Sequence, residues 1–379
     1  MPCIICARSP VNQGFLFVMR VSIVYLAALI TSFTTAAPVG KRQSGLSPNG
    51  NYFPLQNGFP NPDRDGEIAI QDGAHGTLPN GPPPPALSAE GVTNLKLIAL
   101  NELFEVAFFT ELIYNVTNKV SGYDLGMGHD YMLDSLKAIV NQEELHVLNA
   151  NGALEHFKKE KIQPCKYNFP VTDFQTAIAL AGTFTDVVLG TLQDVNQIFA
   201  KNQDDGLVRA VTSVVGNEAE QEGFFRLMQK KRPSSQPFVT TATRDFAFTA
   251  IQDFVIEGSC PNIGTIPLKR FKPLTVETKT IPAENQNVKF SFNAKDAGMY
   301  DTNDMRLTYL NGQNQAIVKK FENIKMEGGK VFFEANFPYD DFLMNGLTIA
   351  AVTIGADEFD NADKMAEAAV FGPGLIEID

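Results

Sequence analysis

The chain of 379 residues sets 31 Lys and Arg against 43 Asp and Glu, a formal charge of −12, with 44% apolar side chains, four Cys and no Trp. This is globular composition with room for about two domains, each able to close its own core. Arg8, Arg20, Lys41 and Arg42 are not balanced by any acidic residue before position 43, so the remainder is more acidic still. A surface of that sign repels phosphate backbones and anionic lipid, which excludes nucleic acid and membrane surfaces as partners.

In chain order, Val21–Ala37 is an uncharged apolar run that ends in small residues and directly follows Met19-Arg20. Residues 1–37 therefore read as a signal peptide cleaved after Ala37, with Met19 as an alternative start. Lys41-Arg42 adds a dibasic processing site. A membrane anchor needs about 20 apolar residues, and Arg20 interrupts the run; no later segment reads as able to span. The expected location is secreted, extracellular or cell wall, with no membrane association after signal removal. With Cys3 and Cys6 removed, Cys165 and Cys260 remain to form one disulfide. It would close a loop of ~95 residues and stabilise by ~4–5 kcal/mol in the chain-entropy model. Asn115-Val-Thr117 is an N-glycosylation sequon.

Residues 38–87 are rich in Gly, Pro and Asn, end in Gly81–Pro85 and lack apolar periodicity, so they read as an extended arm that lies over the body or moves freely. Helical periodicity starts at Ser88 and predicts a bundle over 88–262, with turn clusters at 121–130, 163–170 and 202–206 and an extra C-terminal helix. A Pro-spaced connector then leads to β-rich runs at 288–294, 305–310, 315–321, 330–337, 347–354 and 374–378, with turns at Asn311-Gly312 and Gly328-Gly329. These predict a small all-β sandwich-like domain over 270–379. The fold class expected is α + β in separate domains.

Each long helix can be laid on a 3,4 seam of the kind that closes a four-helix bundle. The seams place Glu102 and Glu105 on the first helix, Glu143 and His146 on the second, Thr185 on the third, and Glu218 and Gln221 on the fourth, each among apolar residues. A carboxylate buried in such a seam costs several kcal/mol unless it is paired, hydrogen-bonded or metal-bound. Glu143-x-x-His146 puts a carboxylate and an imidazole one turn apart on one face. Three arrangements satisfy that set: a metal-free hydrogen-bonded cluster, a single ion held by Glu102 or Glu105 with Glu143, His146 and Glu218, or a two-metal site completed by a further ligand. Asp186 is turned about 100° from its seam. His75, His129 and His156 fall outside it as surface or loop residues. No G-x-S-x-G, Walker loop or strand-linked G-x-G-x-x-G is present, and no His follows His156 to complete a Ser…Asp…His order.

The segments 97–116, 141–148, 185–195, 218–226 and 246–261, with a weaker echo in 370–379, resemble the secreted fungal branch of the ferritin-like domain family, known as late sexual development or stress-response proteins. The resemblance covers roughly residues 75–275. It implies a ferritin-like four-helix bundle, secretion, and links to sexual development and stress, without an established reaction. The wider family pattern places its first-helix Glu on Glu102 or Glu105, its second-helix Glu-x-x-His on Glu143 and His146, and its fourth-helix Glu on Glu218. The third-helix Glu is replaced by Thr185 and the fourth-helix His by Gln221, which degrades the di-metal site. The function expected is a non-catalytic structural or interaction protein, its β domain docking to a cell-wall or extracellular protein partner. The alternative is a secreted metal-binding protein or metal-dependent oxidase with a single iron, manganese or zinc ion on the residual Glu/His cluster.

Overall fold

The structure, a computed structural model, describes residues 49–298 and 300–379. The expected signal peptide, Cys3, Cys6 and the Lys41-Arg42 pair lie outside the described residues. Among those described, a short helix α1 (Arg64–Ala74) precedes four long ones, α2 (Ala89–Thr117), α3 (His129–His156), α4 (Phe174–Lys201) and α5 (Val208–Met228), and then α6 (Arg244–Gln252). The long helices start where local chemistry directs. The Ser88 hydroxyl accepts from Gly91 N at the head of α2 and is itself fixed by Asp204, which accepts from Ser88 N at 2.9 Å. Asp173 and Thr176 form a reciprocal capping box on α4.

Helix α2 packs chiefly on α3, and α4 on α5, while α1 lies on α3 and α6 on α2 and α4. The seam residues Leu95, Ile98 and Phe109 of α2 meet Leu136, Ile139, Ile178, Val188 and Phe225 in one apolar core. Helix α2 is the centre of the bundle: every residue from Leu97 to Phe109 is buried. Its second face meets an aromatic group in which Phe104 and Phe108 contact Phe169 and Phe184. Helix α4 is long and apolar enough to cross a membrane, contrary to the sequence expectation, but 72% of its most apolar stretch is buried inside the bundle.

Residues 49–87 are not simply an extended arm. Helix α1 forms within them, capped by Asp63, which accepts from Gly66 N at 2.9 Å. Tyr52, Phe53, Phe59 and Ile70 enter the bundle core, Asn57 donates to Glu144 at 2.8 Å, and the Tyr52 hydroxyl donates to Glu111. Sparse apolar residues among Gly, Asp and Pro conceal this helix from a periodicity reading. Asn115 is a second correction: it lies inside α2 and is 4% exposed, where a glycan has no room. The Cys165–Cys260 disulfide is formed and ties the segment after α3 to the segment after α6.

The C-terminal domain carries strands β1 (Thr275–Val276), β2 (Gln286–Asn293), β3 (Met305–Asn311), β4 (Ile317–Lys320), β5 (Glu322–Glu327), β6 (Lys330–Phe337), β7 (Gly346–Ile354) and β8 (Ala369–Ile378). Short helices α7 (Tyr339–Phe342) and α8 (Ala362–Ala368) precede β7 and β8. The strands form two antiparallel four-stranded sheets, ordered β1-β2-β6-β5 and β4-β3-β7-β8. Alternation on β6 turns Val331, Phe333, Ala335 and Phe337 onto Phe290, Tyr309 and Phe371. Strand β5 has no such alternation because all six residues are exposed, and the sequence gives no sign of it. The β5–β6 hairpin turns on Gly328-Gly329, both at positive φ (57° and 79°), as a two-residue turn of this hand requires. The two domains share a further apolar core in which Val187, Phe246 and Ala247 pack with Leu310, Leu347 and Ile349. The fold class is as expected, a helical bundle followed by a two-sheet β domain.

Candidate metal centre

Three helices build the site. Helix α2 supplies Glu102, α3 supplies Glu143 and His146, and α5 supplies Glu218; one ligand atom from each lies within 4.8 Å of all the others. The carboxylates are 0–1% exposed and the imidazole 14%. His146 Nδ1 is 2.8 Å from Glu143 Oε2, 3.3 Å from Glu102 Oε2 and 3.7 Å from Glu218 Oε1. On the far side of Glu143, Gln221 Nε2 donates to Oε1 at 2.6 Å.

The electrostatics follow from burial. Burial pushes the Glu102 carboxyl up to about 7 against the pull of His146. Burial, reinforced by the neighbouring carboxylates, holds Glu105 and Glu218 well above the usual range. Glu143 is the exception: burial raises it, but His146, Glu102 and Gln221 together outweigh that and hold it below its ordinary value. His146 is raised well above an ordinary imidazole, because Glu143 and Glu102 overcome the burial that would lower it. Three carboxylates thus face one imidazole, with Glu105 buried beside them. Glu105 Oε2 and both oxygens of Glu218 have no hydrogen-bond partner.

Of the two first-helix candidates, the geometry selects Glu102. Glu105 is buried in the same seam and accepts from Asn101 Nδ2 at 3.3 Å, but it stays outside the convergent set. Thr185 is 1% exposed with its hydroxyl unpartnered, and Gln221 donates through Nε2 to Glu143 while its buried Oε1 has no hydrogen-bond partner. His75 and His156 are exposed, and His129 opens α3 far along the chain from His146. Sequence reading missed the amides around the site: Gln142 Oε1 accepts from Gln221 and Asn217, each at 3.3 Å. Both lie one helical step from seam residues already singled out, which is the signal that would have found them.

Three carboxylates and an imidazole form an oxygen and nitrogen donor set suited to one Fe²⁺, Mn²⁺ or Zn²⁺ ion. The unpartnered oxygens of Glu218 fit that ion. Thr185 and Gln221 stand where a two-ion site of this kind draws on a carboxylate and an imidazole, and neither joins the four convergent side chains. No curated protein matches the chain. Residues 93–231, which carry all four convergent side chains, match the family model described as a ferritin-like domain, so the helical domain of this chain is ferritin-like.

Proposed function

We propose that the helical domain holds one divalent transition-metal ion on Glu102, Glu143, His146 and Glu218, and that the ion fixes the bundle of an extracellular structural or interaction protein. The observation that carries this reading is the convergence of the four side chains around a carboxylate, Glu218, that has no hydrogen-bond partner of its own. A bound ion supplies the positive charge that such a seam lacks. Loss of the second ion's ligands argues against di-iron oxidase chemistry. The disulfide supports an extracellular compartment. The sequence resemblance supports secretion and association with fungal sexual development or stress, with the β domain binding a cell-wall or extracellular protein.

A second reading has its own observation. Glu143 is held by Gln221 at 2.6 Å and His146 at 2.8 Å, which forms a hydrogen-bonded cluster that needs no metal and keeps the helices in register. Metal analysis of protein purified from culture medium separates the two. About one iron, manganese or zinc ion per chain, with a rise in melting temperature when the ion is returned to chelated protein, is the expected result. Absence of all three metals together with no thermal response to any of them would establish the metal-free cluster.

A further inference from the structure

Six ionisable side chains meet where β8 reaches the bundle: Asp186 from α4, Glu222 and Arg226 from α5, Lys231 from the segment after α5, and Glu377 and Asp379 from the end of β8 and just beyond it. Asp186 and Glu222 are each 6% exposed and Arg226 is 3% exposed. Asp379 engages both cations: Arg226 donates to one of its oxygens, and Lys231 Nζ lies 2.6 Å from the other. Glu222 reaches Arg226 only at 4.0 Å. Asp186 Oδ2, Glu222 Oε2 and Glu377 Oε1 are buried and have no hydrogen-bond partner.

We infer that this junction is a proton-loaded latch, which holds β8 against α4 and α5 in acidic medium and loosens as the medium becomes alkaline. With Arg226 and Lys231 both committed to Asp379, one positive charge is left over for three carboxyls from three elements. A buried carboxylate without a partner is far less stable than a buried carboxylic acid. A metal ion does not answer the need, since these oxygens do not converge; among the described residues only the seam set does. Glu222 cannot swing aside easily either: a Cβ placed on Gly182 would lie 3.1 Å from its Oε2, so the carboxyl is packed on the α4 backbone.

Burial pushes Asp186 up to about 7, and burial with mutual repulsion lifts Glu222 and Glu377 well above the usual carboxylate range. Between the ordinary carboxylate value and those raised values the folded junction binds more protons than the opened one. Linkage therefore weakens it as pH rises across that window. The inference is independent of the seam ion.

Hydrogen–deuterium exchange on the full chain, with chelator present throughout, tests it. After correction for intrinsic rates, protection of β8 is expected to fall by about tenfold or more between about pH 5 and about pH 8.5, and by less than about twofold in Asp186→Asn/Glu222→Gln/Glu377→Gln. An unchanged β8 in the wild type, an equal fall in the triple variant, or a fall confined to α2 and α3 would each overturn the latch. If the triple variant does not fold, Glu377→Gln alone is expected to keep wild-type protection in acid and to lose part of the pH effect. Retention of the whole effect in that variant overturns the inference equally.

Discussion

In the seam, Glu102, Glu143, His146 and Glu218 bring ligand atoms within 4.8 Å of one another; at the junction, Asp186, Glu222 and Glu377 are spread around Arg226 and Lys231 without converging. Both regions bury more carboxylates than cations, and both leave carboxylate oxygens unpartnered. The difference lies in where the oxygens point. Side chains projected from three helices onto one point share a single multivalent charge, whereas side chains separated by a helix backbone and a strand end must be neutralised one at a time. Convergence favours an ion and dispersion favours protons.

The largest effect expected comes from removing the seam's nitrogen donor. His146→Leu should abolish the thermal response to added ion, which in the wild type amounts to ~2.7 kcal/mol when the ion is a hundredfold above its dissociation constant. Even in chelator it should cost a further ~1–3 kcal/mol, because Glu143 loses its 2.8 Å partner. Calorimetry with and without ion measures both parts. An ion-dependent shift that survives the substitution would break the comparison, since the convergent set would then not be the binding site.

Glu218→Gln gives a change of sign. Both oxygens of Glu218 are buried without a hydrogen bond, with His146 Nδ1 no nearer than 3.7 Å, so in chelator the neutral isostere should stabilise by ~1–3 kcal/mol at neutral pH. With ion present the same variant should be the less stable protein, because a charged ligand is gone. Denaturant unfolding in the two conditions decides it, and the same sign in both would remove the metal from the account.

The seam was legible in the sequence because a 3,4 period makes a buried polar residue conspicuous: Glu143 and His146 stand between Ile139 and Ala150, and Glu218 between Val211 and Phe225. The same spacing could not choose between Glu102 and Glu105, since both satisfy the seam and only the side-chain directions in the folded bundle separate them. The junction was not legible. Glu222 and Arg226 look like an ordinary exposed i,i+4 pair, and Glu377 sits in an alternating strand; only the fold brings the end of β8 to them, where Asp379 pairs with Arg226 and Lys231. Helix α1 and strand β5 were hidden for opposite reasons. The few apolar residues of α1 are diluted by Gly and Asp, while β5 buries nothing and shows no alternation.

The junction's own titration is sharpened by Asp186→Asn. The folded pKa of Asp186 is raised from the ordinary 3.8 to about 7, chiefly by burial, so its stabilising contribution is present below about pH 4 and is lost as pH rises through about 7. Asparagine imitates the protonated acid. The variant should match the wild type near pH 4 and exceed it by ~1–2 kcal/mol near pH 8. Melting temperatures across that range test the sign, and a variant less stable than the wild type at pH 8 would mean that the ionised carboxylate is the form the fold prefers.

The smallest effect expected lies at the edge of the seam, where Gln142 accepts from Gln221 and Asn217 at 3.3 Å and is itself only partly buried. Gln142→Leu leaves both donors with alternatives: Asn217 lies at a partly exposed position, and Gln221 keeps its 2.6 Å bond to Glu143 and its 3.2 Å bond to Asn217 Oδ1. The loss should be ~0.5–1 kcal/mol, the net worth of neutral hydrogen bonds exchanged for water, with no change in ions bound per chain. The variant thereby marks where the site ends. If metal content fell as it should for His146→Leu, the amides would have to be counted with the ligands as one unit, and the boundary drawn at the four convergent side chains would be too narrow.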